Sequence, residues 1–356
     1  MQKRGYLRLF TVIFICAFVI IYNVKEIKNF NFAVAEKNQI NTLQTEKENI
    51  ENIVLKEEKM QEKEQFVKTE NSESKETESV ESEKTVSASA GAAKGKIIEK
   101  YISPYSTSLS YDKVYIKNST ELDINIKRLI EAPLKFKIEN SSSPQVLIMH
   151  THATETFMQT DSDYYTDNDV SRTRDNQKNM VKIGETVAKK LNDAGIVTLH
   201  DATQHDYPNY TGSYSRAAKT INSYLAKYPS IKIVLDLHRD AVSSGENDKV
   251  KLTTEINGKK AAQVMLVMGS QSGSVTNFPE WKENLKLAVK LQKTIEEKYP
   301  SLARPIMLMP KNYNESLTTG SLLLEFGTEA NTLDEALYSA DMVGESLIEL
   351  INNLKE

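Results

Sequence analysis

The chain has 356 residues, with 45 Lys and Arg against 49 Asp and Glu, which gives a formal net charge of -4 at pH 7. This weakly acidic balance argues against a general nucleic-acid binder, so no nucleic-acid partner is expected. The single cysteine, Cys16, excludes an intramolecular disulfide framework and a cysteine-rich metal site.

Residues 1–28 are predicted to be a signal anchor that crosses the membrane once. Three basic residues precede an apolar stretch that ends at Tyr22. The stretch has about 14 residues, which is short for a span and leaves a cleavable signal peptide as the alternative. No small residue follows Tyr22 directly, which favours the uncleaved anchor. The positive-inside rule predicts a cytoplasmic N-terminus and an extracytoplasmic domain at the cell membrane.

Residues 29–96 are predicted to be a charged low-complexity stalk. Glu, Lys, Ser and Thr dominate this segment. Such a composition buries too little apolar surface to offset the loss of chain entropy on folding. From about residue 97 the composition becomes globular, so residues 97–356 are predicted to form the functional domain, with its core at 144–356.

Strand and helix patterns alternate from about residue 144 onward. Apolar periodicity predicts strands at 146–149, 196–199, 231–237, 263–268, 304–309 and 320–326. It predicts helices at 176–194, 213–228 and 280–298, and a last helix that begins at Thr332. This alternation predicts an α/β fold, with a mostly parallel twisted sheet covered by helices on both faces.

The first strand of this region ends in a cluster of polar residues. His150, His152 and Glu155 follow the apolar run 146–149. Sites in open α/β sheets lie at this carboxyl edge, and imidazole with carboxylate is a typical ligand set for zinc. The H-x-x-E spacing puts His152 and Glu155 on one side of a turn, so both are predicted to be zinc ligands. His150 is predicted to support the ligands or contact substrate, with direct ligation as the alternative.

A second strand end carries matching chemistry. His238, which follows the strand at 231–237, is predicted to be the second histidine ligand. Two His and one Glu, with water in the fourth position, form an open catalytic zinc site, in which the metal lowers the pKa of the water to about 7. Asp175 is the alternative third ligand. Arg239 and Asp240 are predicted to support the ligands or bind a substrate carboxylate, with surface ion pairing as the alternative.

The third strand end supplies a possible base. Glu325 is the only acid within the run 322–326, and a buried carboxylate needs a partner or a task. Accepting a proton from zinc-activated water is such a task, so Glu325 is predicted to be the catalytic base. The alternative is a structural Glu325 that pairs with Arg239. His200 also follows a strand, but it is predicted to be a loop residue.

A tyrosine-rich loop completes the set of candidates. Within residues 207–216, Tyr214 and Arg216 are predicted to line a groove for sugar and peptide, although surface tyrosines in loops are commonly inert.

With these residues in hand, the chain resembles the stage II sporulation protein P family, engulfment hydrolases of endospore-forming bacteria. The resemblance covers roughly residues 111–356. It rests on four segments, in this order: 150–155, 205–216, 236–241 and 325–331.

The resemblance implies a fold similar to that of zinc N-acetylmuramoyl-L-alanine amidases, which cleave the amide bond between muramic acid and L-alanine in peptidoglycan. The site residues of that wider group map to His152, His238 and Glu325. Their third ligand comes from the start of the next helix, where this chain has Asn176 preceded by Asp175, so Glu155 and Asp175 both stay open. The resemblance also implies endopeptidase activity on peptide crosslinks. The partner it implies is stage II sporulation protein D, a lytic transglycosylase, in an engulfment membrane complex.

Two other functions fit the same residues. A non-catalytic module could bind cell wall or a partner and use a metal structurally, with four protein ligands around it. A zinc carboxypeptidase acting on wall peptides would share the metal ligands and differ only in the bond that it cleaves.

Overall fold

The structure is a computed structural model, and it describes residues 92–355. The predicted anchor at 1–28 and most of the predicted stalk at 29–96 lie outside the described residues. Within the described residues, no helix has the length and apolar character that a membrane crossing requires. The first strand, β1, begins at Ala93, within the last part of the segment predicted to be stalk.

The described residues form thirteen strands and five α-helices. The strands are β1 (Ala93–Lys100), β2 (Leu109–Tyr111), β3 (Val114–Asn118), β4 (Val146–Met149), β5 (Tyr164–Thr166), β6 (Thr198–His200), β7 (Ile233–Asp240), β8 (Ser243–Ser244), β9 (Asp248–Ile256), β10 (Lys259–Ala262), β11 (Val264–Gly269), β12 (Ile306–Met309) and β13 (Ser321–Thr328). The helices are α1 (Ile126–Glu131), α2 (Met180–Asp193), α3 (Ser213–Lys227), α4 (Trp281–Lys298) and α5 (Leu333–Asn353).

The strands form two sheets, and both are mixed, which corrects the prediction of a mostly parallel sheet. The larger sheet has the order β2-β3-β12-β11-β13-β7-β4-β6, and the smaller has the order β10-β9-β1-β5 with β8 on β9. In the larger sheet, β11 runs antiparallel to β13 and β2 runs antiparallel to β3.

A tight hairpin connects two antiparallel strands of the smaller sheet. Asn257 and Gly258 connect β9 to β10, and both have positive φ, as the two-residue hairpin turns of this sequence type require. The chain therefore reverses without a crossover helix before it enters β11. The strands of this hairpin before residue 263 were not among the predicted strands.

Helices cover both faces of the larger sheet, as predicted, because side chains alternate along each strand. Ile148 and Leu235 pack on one face, in a core that includes residues of α1, α2, α4 and α5. Leu147 and Val234 lie on the opposite face, against Ala217 of α3. Strands β4 and β7 are thus buried from both sides, which explains the continuous apolar sequence of β4 and the apolar start of β7.

Helix α2 begins later than the predicted helix at 176–194. The Asn179 side chain accepts a hydrogen bond from the Val181 N–H, so Asn179 caps the helix and the first helical residue is Met180. At the other end, Gly195 has φ +77° and terminates the helix.

Gly184 in α2 faces two buried histidines, and replacing it with Ala is expected to destabilise the protein. Alanine is normally better than glycine in a helix by about 1 kcal/mol. Here the added Cβ would lie 2.5 Å from His150 Nε2 and 2.4 Å from His200 Nε2. We expect overpacking to reverse the sign, with a loss of about 1–3 kcal/mol in the free energy of unfolding measured in urea.

Gly344→Ala in α5 is the matched control. The Cβ added there would meet only the flexible side chain of Lys190, at 3.1 Å or more. We expect this variant to be unchanged or slightly more stable. A Gly184→Ala protein as stable as the wild type would contradict the argument from close packing.

Glu315 is a buried acid that the sequence does not single out. It is 2% exposed, its Oε2 accepts a hydrogen bond from the Gly269 N–H at 2.8 Å, and its Oε1 has no hydrogen-bond partner. Burial raises the pKa of this carboxyl well above its usual value. The folded protein therefore keeps a proton on Glu315 at pH values where the unfolded chain releases it.

The sign of the pH dependence follows from this raised pKa. The contribution of Glu315 to stability is fully present below the unfolded pKa, near 4.5, and is lost as the pH rises toward the folded pKa. We expect the free energy of unfolding to fall less steeply between about pH 5 and 8 in Glu315→Gln than in the wild type. Urea unfolding at several pH values tests this, and parallel curves for the two proteins would refute it.

Candidate active site

Three neighbouring parallel strands bring the candidate residues to one edge of the larger sheet. Strands β13, β7 and β4 are adjacent and parallel. Glu325 of β13 stands in register with His238 of β7, and His152 follows directly after β4. The three strand ends identified in the sequence therefore meet in space, as expected for the carboxyl edge of an α/β sheet.

The predicted ligands lie together in a buried cluster. The rings of His152 and His238 have centroids 5.2 Å apart and are nearly perpendicular. Glu155 Oε2 lies 3.7 Å from His238 Nδ1. Each of the three residues is at most 6% exposed. The structure thus brings together two imidazoles and one carboxylate from distant parts of the chain.

His238 is oriented by a buried carboxylate behind it. Asp236 Oδ1 lies 2.9 Å from His238 Nε2, at ion-pair distance although without the angle of a hydrogen bond. Thr151 donates to Asp236 through its backbone N–H at 2.8 Å and through its hydroxyl at 2.6 Å. A carboxylate that contacts one ring nitrogen leaves the other, Nδ1, directed toward Glu155, which is the arrangement that metal-binding histidines commonly have.

The cluster perturbs the protonation of its members in opposite directions. Burial lowers the pKa of His152 well below its usual value, and His238 and Arg172 lower it further. Burial also disfavours charged His238, but Asp236 and Glu155 outweigh burial and raise its pKa to about 9. Without a cation, His238 therefore carries the positive charge that two neighbouring carboxylates require.

The chemistry of the cluster fits a divalent cation. Within residues 92–355, no group of three His, Cys, Asp or Glu side chains already has the geometry of a metal site. However, His152 Nδ1 is buried and has no hydrogen-bond partner, which costs about 1–3 kcal/mol unless a ligand satisfies it. His152, His238 and Glu155 are the ligand types that Zn²⁺ prefers, so they could hold zinc after small side-chain shifts.

Glu325 has a free carboxylate oxygen beside the cluster. The residue is partly exposed, but its Oε2 is buried and has no hydrogen-bond partner. Burial raises the pKa of this carboxyl to about 8, and Asp240 adds to the effect. The alternative pairing with Arg239 is absent among the contacts of the described residues. Asp240, the acid near Glu325, pairs with Arg304 at 2.9 Å.

The alternative third ligand lies elsewhere. The Asp175 side chain is 44% exposed, and it pairs with Lys178 at 3.4 Å. It also accepts a hydrogen bond from the Gln177 N–H, which turns the carboxylate toward solvent in the loop before α2. The structure therefore does not place Asp175 in the cluster, and Glu155 is the carboxylate that it brings there.

His150 lies beneath the cluster rather than in it. It is fully buried, so the predicted contact with substrate is not possible in this structure. Its Nδ1 donates to the Leu237 carbonyl at 3.0 Å, which leaves Nε2 to accept from His200 Nε2 at 2.9 Å. Burial lowers the pKa of His150 to about 3. His200, predicted to be a loop residue, instead ends β6 and joins this interior pair.

Arg239, one of the two predicted arginines, binds the backbone of neighbouring loops. Arg239 donates to the carbonyls of Thr156 and Ser171, and its backbone N–H donates to Glu155 Oε2 at 3.2 Å. Its side-chain donors are thus directed at backbone carbonyls, and its backbone N–H supports a predicted ligand.

The tyrosine-rich loop packs on the cluster. Arg216 donates to the His205 carbonyl at 2.6 Å and to the Thr211 carbonyl at 3.1 Å, so it shapes the loop before α3. The Tyr214 ring lies edge-on to His152, with centroids 5.5 Å apart. Tyr214 therefore contacts a predicted ligand directly.

Four residues of the site were not identified from the sequence: Arg172, Asp206, Tyr210 and Asp236. Asp236 was detectable, because it interrupts an apolar strand just as Glu325 does. The other three lie in irregular loops, where no periodicity marks which side chains point inward.

The sequence matches one family over most of its length. The family model for stage II sporulation protein P matches residues 20–348. Stage II sporulation protein P of Bacillus subtilis (strain 168) is 29% identical over 221 residues, which cover 58% of this chain and 50% of that protein. The match therefore spans about half the length of this relative.

Solved amidase structures resemble the chain more distantly. An N-acetylmuramoyl-L-alanine amidase from Clostridium difficile 630 is 15% identical, with a TM-score of 0.35 over 60% of this chain and 97% of that one. The amidase Ami1 from Mycobacterium smegmatis is 10% identical, with a TM-score of 0.37 over 59% of this chain and 98% of that one. At such TM-scores these likenesses do not bear on the chemistry of the site.

Proposed function

The chain belongs to the stage II sporulation protein P family, and we propose that it is a zinc-dependent peptidoglycan hydrolase that cleaves the amide bond between muramic acid and L-alanine. The observation that supports this most strongly is the buried meeting of His152, His238 and Glu155 beside the free carboxylate oxygen of Glu325. The proposal includes endopeptidase activity on peptide crosslinks as a second reaction of the same site.

The setting of the reaction is part of the proposal. The domain would act outside the cell membrane, held by the segment at 1–28, during engulfment in sporulation. Its proposed partner is stage II sporulation protein D, a lytic transglycosylase, within an engulfment membrane complex. A transglycosylase cuts glycan strands and an amidase removes peptides from them, so the two activities would act on the same polymer at different bonds.

In the proposed mechanism, His152, His238 and Glu155 hold Zn²⁺. The bound metal supplies Lewis-acid chemistry, which lowers the pKa of water to about 7 and polarises the substrate carbonyl. Glu325 would accept the proton of the attacking water through its carboxylate and pass it to the departing L-alanine nitrogen. Its partial exposure leaves room for water and substrate to reach it.

Neighbouring groups keep these residues in position. Asp236 holds Nε2 of His238, and the backbone N–H of Arg239 holds Oε2 of Glu155. Such supporting contacts reduce the cost of arranging the ligands at the moment of reaction.

Digestion of purified peptidoglycan separates the candidate functions. We expect the zinc-loaded protein to release stem peptides with a free L-alanine amino group, detected by mass spectrometry. A carboxypeptidase would release only the terminal amino acid and leave peptides on the glycan. A non-catalytic binding module would release nothing while still sedimenting with the polymer, and that result would refute the proposed hydrolase.

Addition of a chelator is the matched control for zinc dependence. The same digest with metal-depleted protein should give no product, and added Zn²⁺ should restore it. Full activity in the metal-depleted sample, verified by elemental analysis, would overturn the proposed role of zinc.

A further inference from the structure

Arg172 connects three groups at the wall of the cluster. Its guanidinium group contacts the carboxylates of Asp206 and Glu155 and lies over the ring of Tyr210. The side chain is 28% exposed, so it stands at the boundary between the buried cluster and solvent. Among the described residues, no other arginine contacts both Glu155 and Tyr210, the ring that stacks on His152.

Asp206 anchors Arg172 from within the protein. The Asp206 side chain is fully buried and lies 2.6 Å from Arg172 Nη1. The Thr154 hydroxyl also donates to Asp206 Oδ2 at 2.6 Å, and the Thr154 backbone N–H lies 3.3 Å from the same carboxylate. A buried carboxylate held by these donors gives Arg172 a fixed point of attachment.

From this anchor, Arg172 reaches the predicted carboxylate ligand. Its Nη2 donates to Glu155 Oε1 at 3.4 Å, while the Arg239 backbone N–H donates to Oε2 at 3.2 Å. With each oxygen held by a different donor, the carboxylate cannot rotate freely, and Oε2 stays on the side of His238.

Arg172 also reaches a predicted histidine ligand through Tyr210. The guanidinium carbon lies 4.7 Å from the centre of the Tyr210 ring. That ring stacks on His152 with centroids 4.6 Å apart and an angle of 14°, and its hydroxyl lies 3.1 Å from His152 Nε2. The contact of Tyr210 with Nε2 leaves Nδ1 as the ring nitrogen without a partner.

We propose that Arg172 is a positioning residue of the metal site, which fixes Glu155 directly and His152 through Tyr210 so that both are ready to bind a divalent cation. The inference rests on the proposed function, because it concerns the same cluster. Arg172 itself touches neither metal nor substrate in this scheme.

The charge of Arg172 does not argue against this role. A cation close to a metal site would by itself weaken metal binding through like-charge repulsion. Asp206 lies closer to the guanidinium than Glu155 does and offsets that charge. The role of Arg172 therefore depends on the geometry of its guanidinium group. This planar group donates hydrogen bonds in two directions and stacks on a ring, which the ammonium group of lysine cannot do.

Arg172→Lys tests the inference, because it keeps the charge and removes the planar group. We expect the dissociation constant for Zn²⁺, measured on the metal-free protein with a competing chelator, to rise by about 10–100-fold. Arg174→Lys is the matched control, since Arg174 lies over the exposed ring of Tyr207 at 4.0 Å. The control should bind Zn²⁺ like the wild type.

The possible results separate the two proposals. Wild-type affinity in Arg172→Lys, or an equal loss in Arg174→Lys, would overturn the positioning role while leaving the proposed function intact. Failure of the wild type to bind Zn²⁺ would overturn both.

A second variant covers the case in which Arg172→Lys does not fold. Tyr210→Leu keeps the Arg172–Asp206 pair and removes the ring between Arg172 and His152. We expect it to weaken Zn²⁺ binding several-fold. Far-ultraviolet circular dichroism and urea unfolding of each metal-free variant show whether it is folded, and unchanged affinity in a folded Tyr210→Leu protein would refute the connection to His152.

Discussion

Replacing Glu325 with Gln is expected to reduce the rate of peptide release from peptidoglycan by about 10²–10⁴-fold while zinc content stays at the wild-type level. Gln has nearly the same shape as Glu, but its amide cannot act as a general base. Because Glu325 is not among the proposed ligands, the loss should appear in turnover and not in the affinity for Zn²⁺.

The measurement combines a time course of stem-peptide release with elemental analysis of the same samples. Glu329→Gln is the matched control, because Glu329 lies shortly after the same strand but pairs with Lys249 at 3.1 Å. It should retain wild-type turnover. A Glu325→Gln protein with full activity would remove the proposed base.

Replacing His152 with Ala is expected to abolish both zinc binding and hydrolysis. Losing a contact that only supports a ligand lowers metal affinity by roughly 10–100-fold. This variant loses a ligand itself, so its affinity for Zn²⁺ should fall further. Burial and its neighbours keep His152 neutral, so its removal leaves no uncompensated charge behind. The metal-free variant should therefore still fold.

Competition with a chelator gives the affinity, and the peptidoglycan digest gives the activity. His200→Ala is the control, because His200 contacts His150 in the interior and lies outside the cluster. We expect this control to lose some stability but to bind Zn²⁺. If His152→Ala bound zinc as tightly as the wild type, the proposed ligand set would be wrong.

Local sequence patterns were sufficient to select residues that the structure brings together. His152 follows β4, whereas His238 and Glu325 lie in the last part of β7 and β13. The end of an apolar run can be identified from a short window of sequence. Parallel strands place such ends at one edge, so the meeting of these residues was predictable without coordinates. Helix positions were predictable for the same reason, because apolar periodicity and caps such as Thr332 are local signals.

Strand direction required the tertiary structure. Strand β11 runs antiparallel to β13, which comes more than fifty residues later in the chain. Pairing between distant segments is set by packing against the whole core, which no local pattern contains.

The choice between Glu155 and Asp175 likewise depended on tertiary contacts. Both carboxylates follow the same strand, and the sequence favoured Glu155 with Asp175 as the alternative. The structure turns Asp175 to solvent and holds Glu155 between Arg172 and the backbone of Arg239. Irregular loops carry no periodicity, so the direction of their side chains is decided only when distant segments pack together. The amino-acid sequence by itself therefore determined which side chains are candidates for the site, because strand ends are local signals. Tertiary packing decided which of those side chains lie together, because contacts between distant segments form only in the folded chain.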